Sequence, residues 1–272
     1  MPIKRAAALL GFLCAVPLFA QNLDITVEEI DGALTITKSK GRAKELVIPP
    51  SINDLPVTRI GPGVFSKRGL EKLSLPDTIT EIGDGAFADN LLTSLVIGDN
   101  VTVIGSGAFA GNRLAEISLG AGLDTIGKGV FSRNRLSAVT ISGNISSIGD
   151  FAFFSNNIKT ITIPGSVTAI GAGAFSGNRL SQVEIEAGVA GIGDGAFYNN
   201  QIKSVTIPSS VSVMGKRAFD PRTAGVSGLV EYRDPEGNLL LSPSKNFDNF
   251  YSVNGKRAGT YTLTQEGWKY GE

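Results

Sequence analysis

The sequence has no histidine and only one cysteine, Cys14, and these shortages limit the chemistry it can perform. Histidine is the commonest general base and metal ligand in proteins, so most catalytic and metal centres would lack their usual residue here. The acidic residues Asp84, Asp150 and Asp194 occur singly in equivalent turns, which favours carboxylates that bond nearby backbone over a catalytic pair. We therefore expect no enzyme activity, with no catalytic residue, no metal and no cofactor.

The chain also lacks net charge and has few aromatic residues. Its 25 basic and 25 acidic residues balance, so no overall basic field exists for nucleic acid, and we expect no nucleic-acid partner. Aromatic residues make up 7% of the chain, whereas glycine occurs 34 times. This composition suits thin repeated turns better than one globular core.

Residues 1–20 carry the pattern of a cleaved secretory signal. Lys4 and Arg5 precede a short apolar run, and Ala20 stands before Gln21. The run is too short for a membrane-spanning helix, and we expect no transmembrane segment after the signal is removed. Because Cys14 lies inside this leader, the exported chain would have no thiol and no disulfide. The alternatives are an uncleaved anchor and lipidation at Cys14.

A phenylalanine recurs at every 22nd residue in eight copies, which we number repeats 1 to 8: Phe65, Phe87, Phe109, Phe131, Phe153, Phe175, Phe197 and Phe219. Isoleucine, or Met214 in repeat 8, stands five residues before each phenylalanine and is followed by glycine. Apolar residues also stand five, eight and ten positions after each of the first seven. One repeat cannot bury these side chains by itself, so the pattern predicts stacked repeats.

The spacing of the apolar residues predicts one short β-strand in each repeat, as at Leu136, Val139 and Ile141. Strands of successive repeats would pair in parallel about 4.8 Å apart. The recurring Gly-Ala-Phe segment fits either a turn or a single helical turn, and the spacing does not choose between them.

The pattern I-G-x-x-A-F-x-x-N-x-L-x-x-I-x-I, from about Leu46 to Phe219, resembles the leucine-rich repeats of the BspA-like, treponemal-type class. The segment from Ile25 to Phe65 resembles the first module of that family, and NGKRAGTYT resembles the closing segment of other members. The resemblance implies a right-handed β-solenoid of 22-residue repeats at the cell surface that binds other macromolecules.

Four parts are expected along the chain: a signal peptide at 1–20, an N-terminal capping module at 21–59, eight leucine-rich repeats at 60–219, and a C-terminal β-rich cap at 220–272. RDPEGNLLL and FYSVNGKRAGTYTL are typical of hairpins, with Asn254–Gly255 as a strong turn signal. Aromatic residues concentrate in the last part, where they would cover the solenoid end or, alternatively, contact a partner: Phe247, Phe250, Tyr251, Tyr261, Trp268 and Tyr270.

Asparagine stands three residues after six of the phenylalanines, while Arg68 and Arg222 take this position at the two ends, where no ladder is required. An amide both donates and accepts hydrogen bonds, so stacked asparagines can satisfy the backbone of adjacent repeats. We predict a structural ladder rather than a ligand site, formed by Asn90, Asn112, Asn134, Asn156, Asn178 and Asn200.

The candidate binding residues lie at exposed positions that vary between repeats. One residue of each strand points outward between two buried ones, giving Ser74, Val96, Ser118, Thr140, Thr162, Glu184 and Thr206. Arg113, Arg135 and Arg179 project from the position after the asparagine. A flat surface suits many weak contacts to a large partner, and the alternative is ordinary solvated strand. The predicted partner-binding residues are Ser118, Thr140, Thr162, Glu184, Thr206, Arg113, Arg135 and Arg179.

These patterns predict a monomeric, non-enzymatic scaffold that is exported and binds a protein partner. It would be at the cell surface, associated with the outer membrane, periplasmic or secreted. The resemblance implies adhesin-like attachment to host matrix proteins or other cells. Alternatives are an envelope protein that assembles with its own kind, a module that binds glycans or a small ligand, and a hydrolase that uses its carboxylates.

Overall fold

The computed structural model describes residues 23–219 and, beyond them, the strands at 230–233, 239–242, 259–264 and 267–271. The chain is a β-solenoid of about eight turns with the predicted 22-residue spacing. Its described residues form strands, turns and irregular segments without a helix, so Gly-Ala-Phe is part of a turn. Nothing within the described part of the chain is a helix long and apolar enough to cross a membrane.

Two hairpins precede the first repeat. Strands β1 (Leu23–Ile30) and β2 (Ala33–Gly41) pair antiparallel around Asp31 and Gly32, whose φ values of 52° and 77° suit a tight hairpin turn. Strand β3 (Glu45–Val47) follows, and then β4 (Ser51–Ile52) pairs antiparallel with β5 (Leu55–Ile60). Since β2 also pairs in parallel with β5, the first hairpin lies against the edge of the stack, as a capping module would.

Within residues 60–219 the strands occupy two positions in the repeat, one more than the sequence predicts. The first is a two-residue strand that ends at the isoleucine, or at Met214, directly before the recurring glycine. Its members are β7 (Glu81–Ile82), β9 (Val103–Ile104), β11 (Thr125–Ile126), β12 (Ser147–Ile148), β14 (Ala169–Ile170), β16 (Gly191–Ile192) and β18 (Val213–Met214). They pair in parallel as β5-β7-β9 and as β11-β12-β14-β16-β18.

The second strand position is the predicted one. Its members after β3 are β6 (Lys72–Ser74), β8 (Ser94–Val96), β10 (Glu116–Ser118), β13 (Thr160–Ile163), β15 (Gln182–Ile185) and β17 (Ser204–Ile207). They pair in parallel as β3-β6, β8-β10 and β13-β15-β17. Repeat 4 is the exception, because residues 138–140 form no regular strand. The second column is therefore a series of short sheets rather than one continuous sheet.

The core is a continuous column of stacked side chains. All eight repeat phenylalanines are fully buried. The ring centroids of neighbouring repeats lie 4.8–6.0 Å apart, and the rings tilt by at most 18°. Glycine after each isoleucine allows this close stacking. A Cβ on Gly105, for example, would lie 2.4 Å from the backbone nitrogen of Asp84 in the preceding repeat.

The C-terminal strands extend the second column. Strand β21 (Gly259–Thr264) pairs antiparallel with β17 on one side and with β22 (Gly267–Gly271) on the other. Strands β19 (Val230–Arg233) and β20 (Leu239–Ser242) pair antiparallel, as the hairpin predicted for RDPEGNLLL requires. The hairpin predicted around Asn254–Gly255 lies outside the described residues, as do Phe247, Phe250 and Tyr251.

Candidate binding surfaces

The asparagines of repeats 2 to 7 are buried and hydrogen-bond to two repeats each. The Asn156 Nδ2 donates to the carbonyl oxygens of Phe131 (3.0 Å) and Phe153 (3.1 Å), and its Oδ1 accepts from the backbone N–H of Leu136 (3.0 Å). The other five asparagines repeat this arrangement. Each amide thus bonds to backbone groups of its own repeat and the one before, which fits a structural ladder.

Arg68 continues the ladder toward the N-terminus instead of simply ending it. Its backbone N–H donates to Asn90 Oδ1 (2.9 Å). Its guanidinium donates to the carbonyl oxygen of Ser39 (2.6 Å) and to the hydroxyl of that residue (3.2 Å). Ser39 is buried in β2, so this arginine connects repeat 1 to the first hairpin. Arg222, at the other end, lies outside the described residues.

The predicted outward side chains of the second strand position are all exposed, and we call them the strand ribbon: Ser74, Val96, Ser118, Thr140, Thr162, Glu184 and Thr206. Thr162, Glu184 and Thr206 are in parallel register, and the Thr162 hydroxyl donates to Glu184 Oε2 at 3.4 Å. Val96 is 70% exposed, which adds an apolar contact to this mostly hydroxyl surface. Thr140 is exposed but lies in repeat 4, where the strand is irregular.

Arg113, Arg135 and Arg179 are exposed and form a column separate from the strand ribbon. They follow the ladder asparagines of repeats 3, 4 and 6, and Asn157 takes the equivalent position in repeat 5. The backbone N–H of Arg113 donates to the carbonyl oxygen of Leu92 at 2.9 Å, so the backbone is fixed while the side chain faces solvent. The structure therefore divides the predicted binding residues between two surfaces.

The single turn carboxylates link successive repeats. Each of Asp84, Asp150 and Asp194 accepts a hydrogen bond at its Oδ1 from a backbone N–H one repeat later, at 2.6, 2.8 and 2.7 Å. Among the described residues, no group of three or more histidine, cysteine or acidic side chains could hold a metal ion. These carboxylates act as turn acceptors.

An exposed aromatic pair, which the repeat pattern did not indicate, lies on the turn. Two residues before each phenylalanine, six of the eight repeats have a glycine, with φ between 58° and 64°. Repeat 5 has Phe151 at this position with a φ of 55°, and its side chain is 44% exposed. The ring packs edge-to-face against Phe154, with centroids 5.9 Å apart. The sequence signal was FAFF in place of Gly-Ala-Phe.

The other exception at this glycine position also lies beside an aromatic ring. Arg217 of repeat 8 has a φ of 56°. Its guanidinium lies 4.4 Å from the centroid of the Tyr198 ring, and its Nη2 donates to the Tyr198 hydroxyl at 2.9 Å. Tyr198 and Phe154 both directly follow a repeat phenylalanine. Large side chains therefore lie on the turns of repeats 5, 7 and 8.

We expect Phe151→Gly to leave the free energy of unfolding within about 1 kcal/mol of the parent value. A left-handed backbone costs a residue with a Cβ about 1 to 2 kcal/mol, which offsets a contact with Phe154 worth about 0.5–1.5 kcal/mol. Chemical denaturation of both proteins measures the difference. A loss above about 2 kcal/mol would show that Phe151 is chiefly a packing residue.

A shallow hollow of about 320 Å³ lies on the ladder side of repeats 5 to 7. The hollow lies at Gly177 because this residue has no side chain, whereas Ser155 and Asn199 take the equivalent position in the adjacent repeats. The equivalent Gly111 is spanned by an ion pair between Asp89 and Arg133, 3.7 Å apart. The residues that line the hollow are Asn156, Asn157, Gly177, Asn178, Arg179, Asn199, Asn200 and Gln201.

Comparison with known protein families gives a match to the BspA type leucine rich repeat region, in six copies over residues 44–154 and 110–224. Together these ranges run from residue 44 to residue 224, well over half of the 272-residue chain. No curated protein matches the sequence.

Several solved bacterial structures resemble the chain. A leucine rich cell surface protein from Faecalibacterium prausnitzii is 27% identical, with a TM-score of 0.47 and coverage of 72% of each chain. The leucine rich repeat protein of T. pallidum is 23% identical over 70% of this chain and 83% of its own, with a TM-score of 0.46. The pneumococcal vaccine antigen PcpA is 14% identical over 73% and 77%, with a TM-score of 0.43.

Proposed function

Because the chain belongs to the BspA-type leucine-rich repeat family, we propose that it is a non-enzymatic scaffold whose strand ribbon binds a protein partner. The observation that carries the proposal is the ribbon itself, whose seven side chains are exposed at one position of seven successive repeats. Six steps of about 4.8 Å make it about 29 Å long. A solenoid presents such an extended surface to large partners, and the interior behind it is fully packed.

The ribbon has the chemistry of a protein-contact surface rather than of a small-molecule site. Its hydroxyl groups both donate and accept hydrogen bonds, and the exposed Val96 supplies an apolar contact. Lys72 and Glu45 border it as an ion pair 3.7 Å apart, but both side chains are exposed, so the pair adds little stability and is free to exchange for partner contacts. Many such contacts spread over several repeats would together give affinity.

We further propose an adhesin-like role, in which the exported monomer attaches through this ribbon to host matrix proteins or to other cells. The leader pattern at residues 1–20 supports export. The balanced charge of the chain is compatible with contact through hydroxyl groups rather than through a strong electrostatic field. The strand ribbon and the arginine column are separate surfaces, so a partner can contact the ribbon without contacting the ladder side.

The test measures binding of the chain without residues 1–20 to immobilised fibronectin, fibrinogen and other matrix proteins. Thr140, Thr162 and Thr206 are changed together to lysine, and we expect affinity to fall at least about tenfold, because three long cations disrupt a hydroxyl surface. The matched control adds three lysines to the other strand column, at exposed Thr125, Ala169 and Val213. This control should stay within about threefold of the parent.

Two results would contradict the proposal. Equal losses in the ribbon variant and the control would point to added charge rather than to the ribbon as the cause. Absence of binding to every matrix protein, together with concentration-dependent sedimentation, would favour assembly of the chain with its own copies.

A further inference from the structure

We propose that the hollow on repeats 5 to 7 is a second binding site, and that it takes the exposed end of an oligosaccharide. It lies on the ladder side, apart from the strand ribbon, so the proposal goes beyond protein binding by that surface. Polar side chains line the hollow, aromatic rings lie close to it, and the residues that form it vary between repeats.

The lining has the hydrogen-bonding character of a saccharide site. All eight residues around the hollow are asparagine, glutamine, arginine or glycine. Side-chain amides both donate and accept, as sugar hydroxyls do, and the guanidinium of Arg179 adds further donors. A protein partner would favour an apolar centre for its contact, and these walls offer none. The lining therefore matches a neutral polyhydroxyl ligand.

The residues at the floor of the hollow hold the backbone, whereas those at its walls are available to a ligand. On the floor, Asn178 Nδ2 donates to the carbonyl oxygens of Phe153 and Phe175, both at 2.9 Å, and its Oδ1 accepts from Ile158 at 3.1 Å. These bonds occupy the amide and hold the floor rigid. The ligand contacts would come from the walls, where Arg179 and Gln201 are exposed. A preformed floor lowers the entropy that binding costs.

Half-buried aromatic rings stand on both sides of the small residues in repeat 6. Phe154 and Tyr198 occupy equivalent positions two repeats apart, a separation of about 10 Å, with buried Ser176 between them. A Cβ on Gly177 would lie 3.7 Å from the Phe154 ring, so this ring lies beside a lining residue, just outside the lining itself. Aromatic faces carry partial negative charge and attract the C–H groups on the apolar face of a sugar ring. Arg217 occupies one face of the Tyr198 ring, so a sugar would contact the other face.

The two residues after the phenylalanine vary along the chain, and at the hollow a small pair in repeat 6 lies between two pairs that contain an aromatic residue. Repeat 5 has FAFF, repeat 6 has Ser-Gly after its phenylalanine, and repeat 7 has Tyr-Asn. In repeat 3 the equivalent glycine is spanned by an ion pair, whereas the neighbours of Gly177 are the short polar residues Ser155 and Asn199. Phe151 adds a left-handed backbone that glycine would adopt more easily.

The experiment applies the chain to an array of immobilised neutral, sialylated and sulfated glycans and then titrates the best free oligosaccharide. Gly177→Arg fills the hollow with a side chain that the fold accepts at Arg133, the equivalent position of repeat 4. We expect this variant to bind at least tenfold more weakly than the parent. Gly111→Arg is the matched control in repeat 3 and should change affinity less than twofold. Phe154→Ser and Tyr198→Ser should each weaken binding at least fivefold.

Circular dichroism and thermal melts establish that each variant is folded before its affinity is compared. Absence of binding to any glycan would overturn the proposal, and so would equal binding by parent and Gly177→Arg. A protein partner that is lost on Gly177→Arg, without glycan binding by the parent, would assign the hollow to protein instead. The triple lysine variant of the strand ribbon should keep full glycan affinity, which separates this test from that of the ribbon.

Discussion

Replacing Asn156 by leucine is expected to lower the free energy of unfolding by about 1 to 3 kcal/mol. Leucine keeps the approximate size of the side chain but removes both amide functions. The N–H of Leu136 loses its acceptor, and the carbonyl oxygens of Phe131 and Phe153 each lose one of two amide donors, since Asn134 and Asn178 also donate to them. These backbone groups belong to two adjacent repeats. Asn156 is buried, so bulk water does not replace the lost hydrogen bonds. The orphaned N–H costs about 1–3 kcal/mol.

Asn157→Leu is the matched control for this effect, because it makes the same chemical change one residue later. Asn157 is only half-buried, and we expect its replacement to change stability by less than about 0.5 kcal/mol. Urea denaturation of the three proteins measures the difference. Similar losses for the two substitutions would mean that a general preference for asparagine in the turn, rather than the ladder, explains the recurring residue.

Replacing Phe153 by alanine is expected to cost about 4 kcal/mol. The ring is fully buried and stacks between Phe131, at 5.7 Å, and Phe175, at 5.2 Å. Alanine would leave a cavity and would remove two aromatic contacts at once. Because each repeat contacts only its neighbours, the cavity weakens both interfaces of repeat 5.

Phe154→Ala provides the comparison, since it truncates the same kind of side chain at the next residue, where the ring is half-buried. We expect a loss below about 2 kcal/mol there. Hydrogen exchange should show that Phe153→Ala weakens protection most in repeats 4 to 6. A uniform loss of protection along the whole stack would contradict the local origin of the effect.

Much of the solenoid could be predicted from the sequence, because its period fixes which side chains are buried. The phenylalanine column predicted a continuous core, and the stacked rings confirm the fold. The first strand position could not be predicted with equal ease. A pair such as Glu81–Ile82 has only one inward side chain, so it shows no alternation, and its strand pairing depends on neighbours 22 residues away.

The exposed surfaces were less predictable than the core. Alternation alone predicted that Thr162 and Glu184 point outward, which the structure confirms. It could not indicate that the strand is irregular around Thr140, since Val139 and Ile141 keep the same apolar spacing there. The assignment of the ribbon and the arginine column to partner binding stays a prediction.

The aromatic cluster on the turn escaped prediction for a different reason. Backbone φ is set at each turn by the stacked repeats around it, so Phe151 adopts the left-handed region that its neighbours reach with glycine. Its own residue type gives no sign of this. Searching for departures from an otherwise constant column would have found Phe151 and Arg217 directly, because both replace glycine.

The strict 22-residue period also bears on how a gene for this chain can change. Every ladder amide bonds to its own repeat and the preceding one, so any internal repeat presents the same two faces to its neighbours. Unequal recombination that removes or duplicates one whole repeat would join equivalent residues on both sides. The encoded protein would become shorter or longer by about 4.8 Å while both ends stay the same. The length of the solenoid is therefore a trait that selection can change by one repeat at a time.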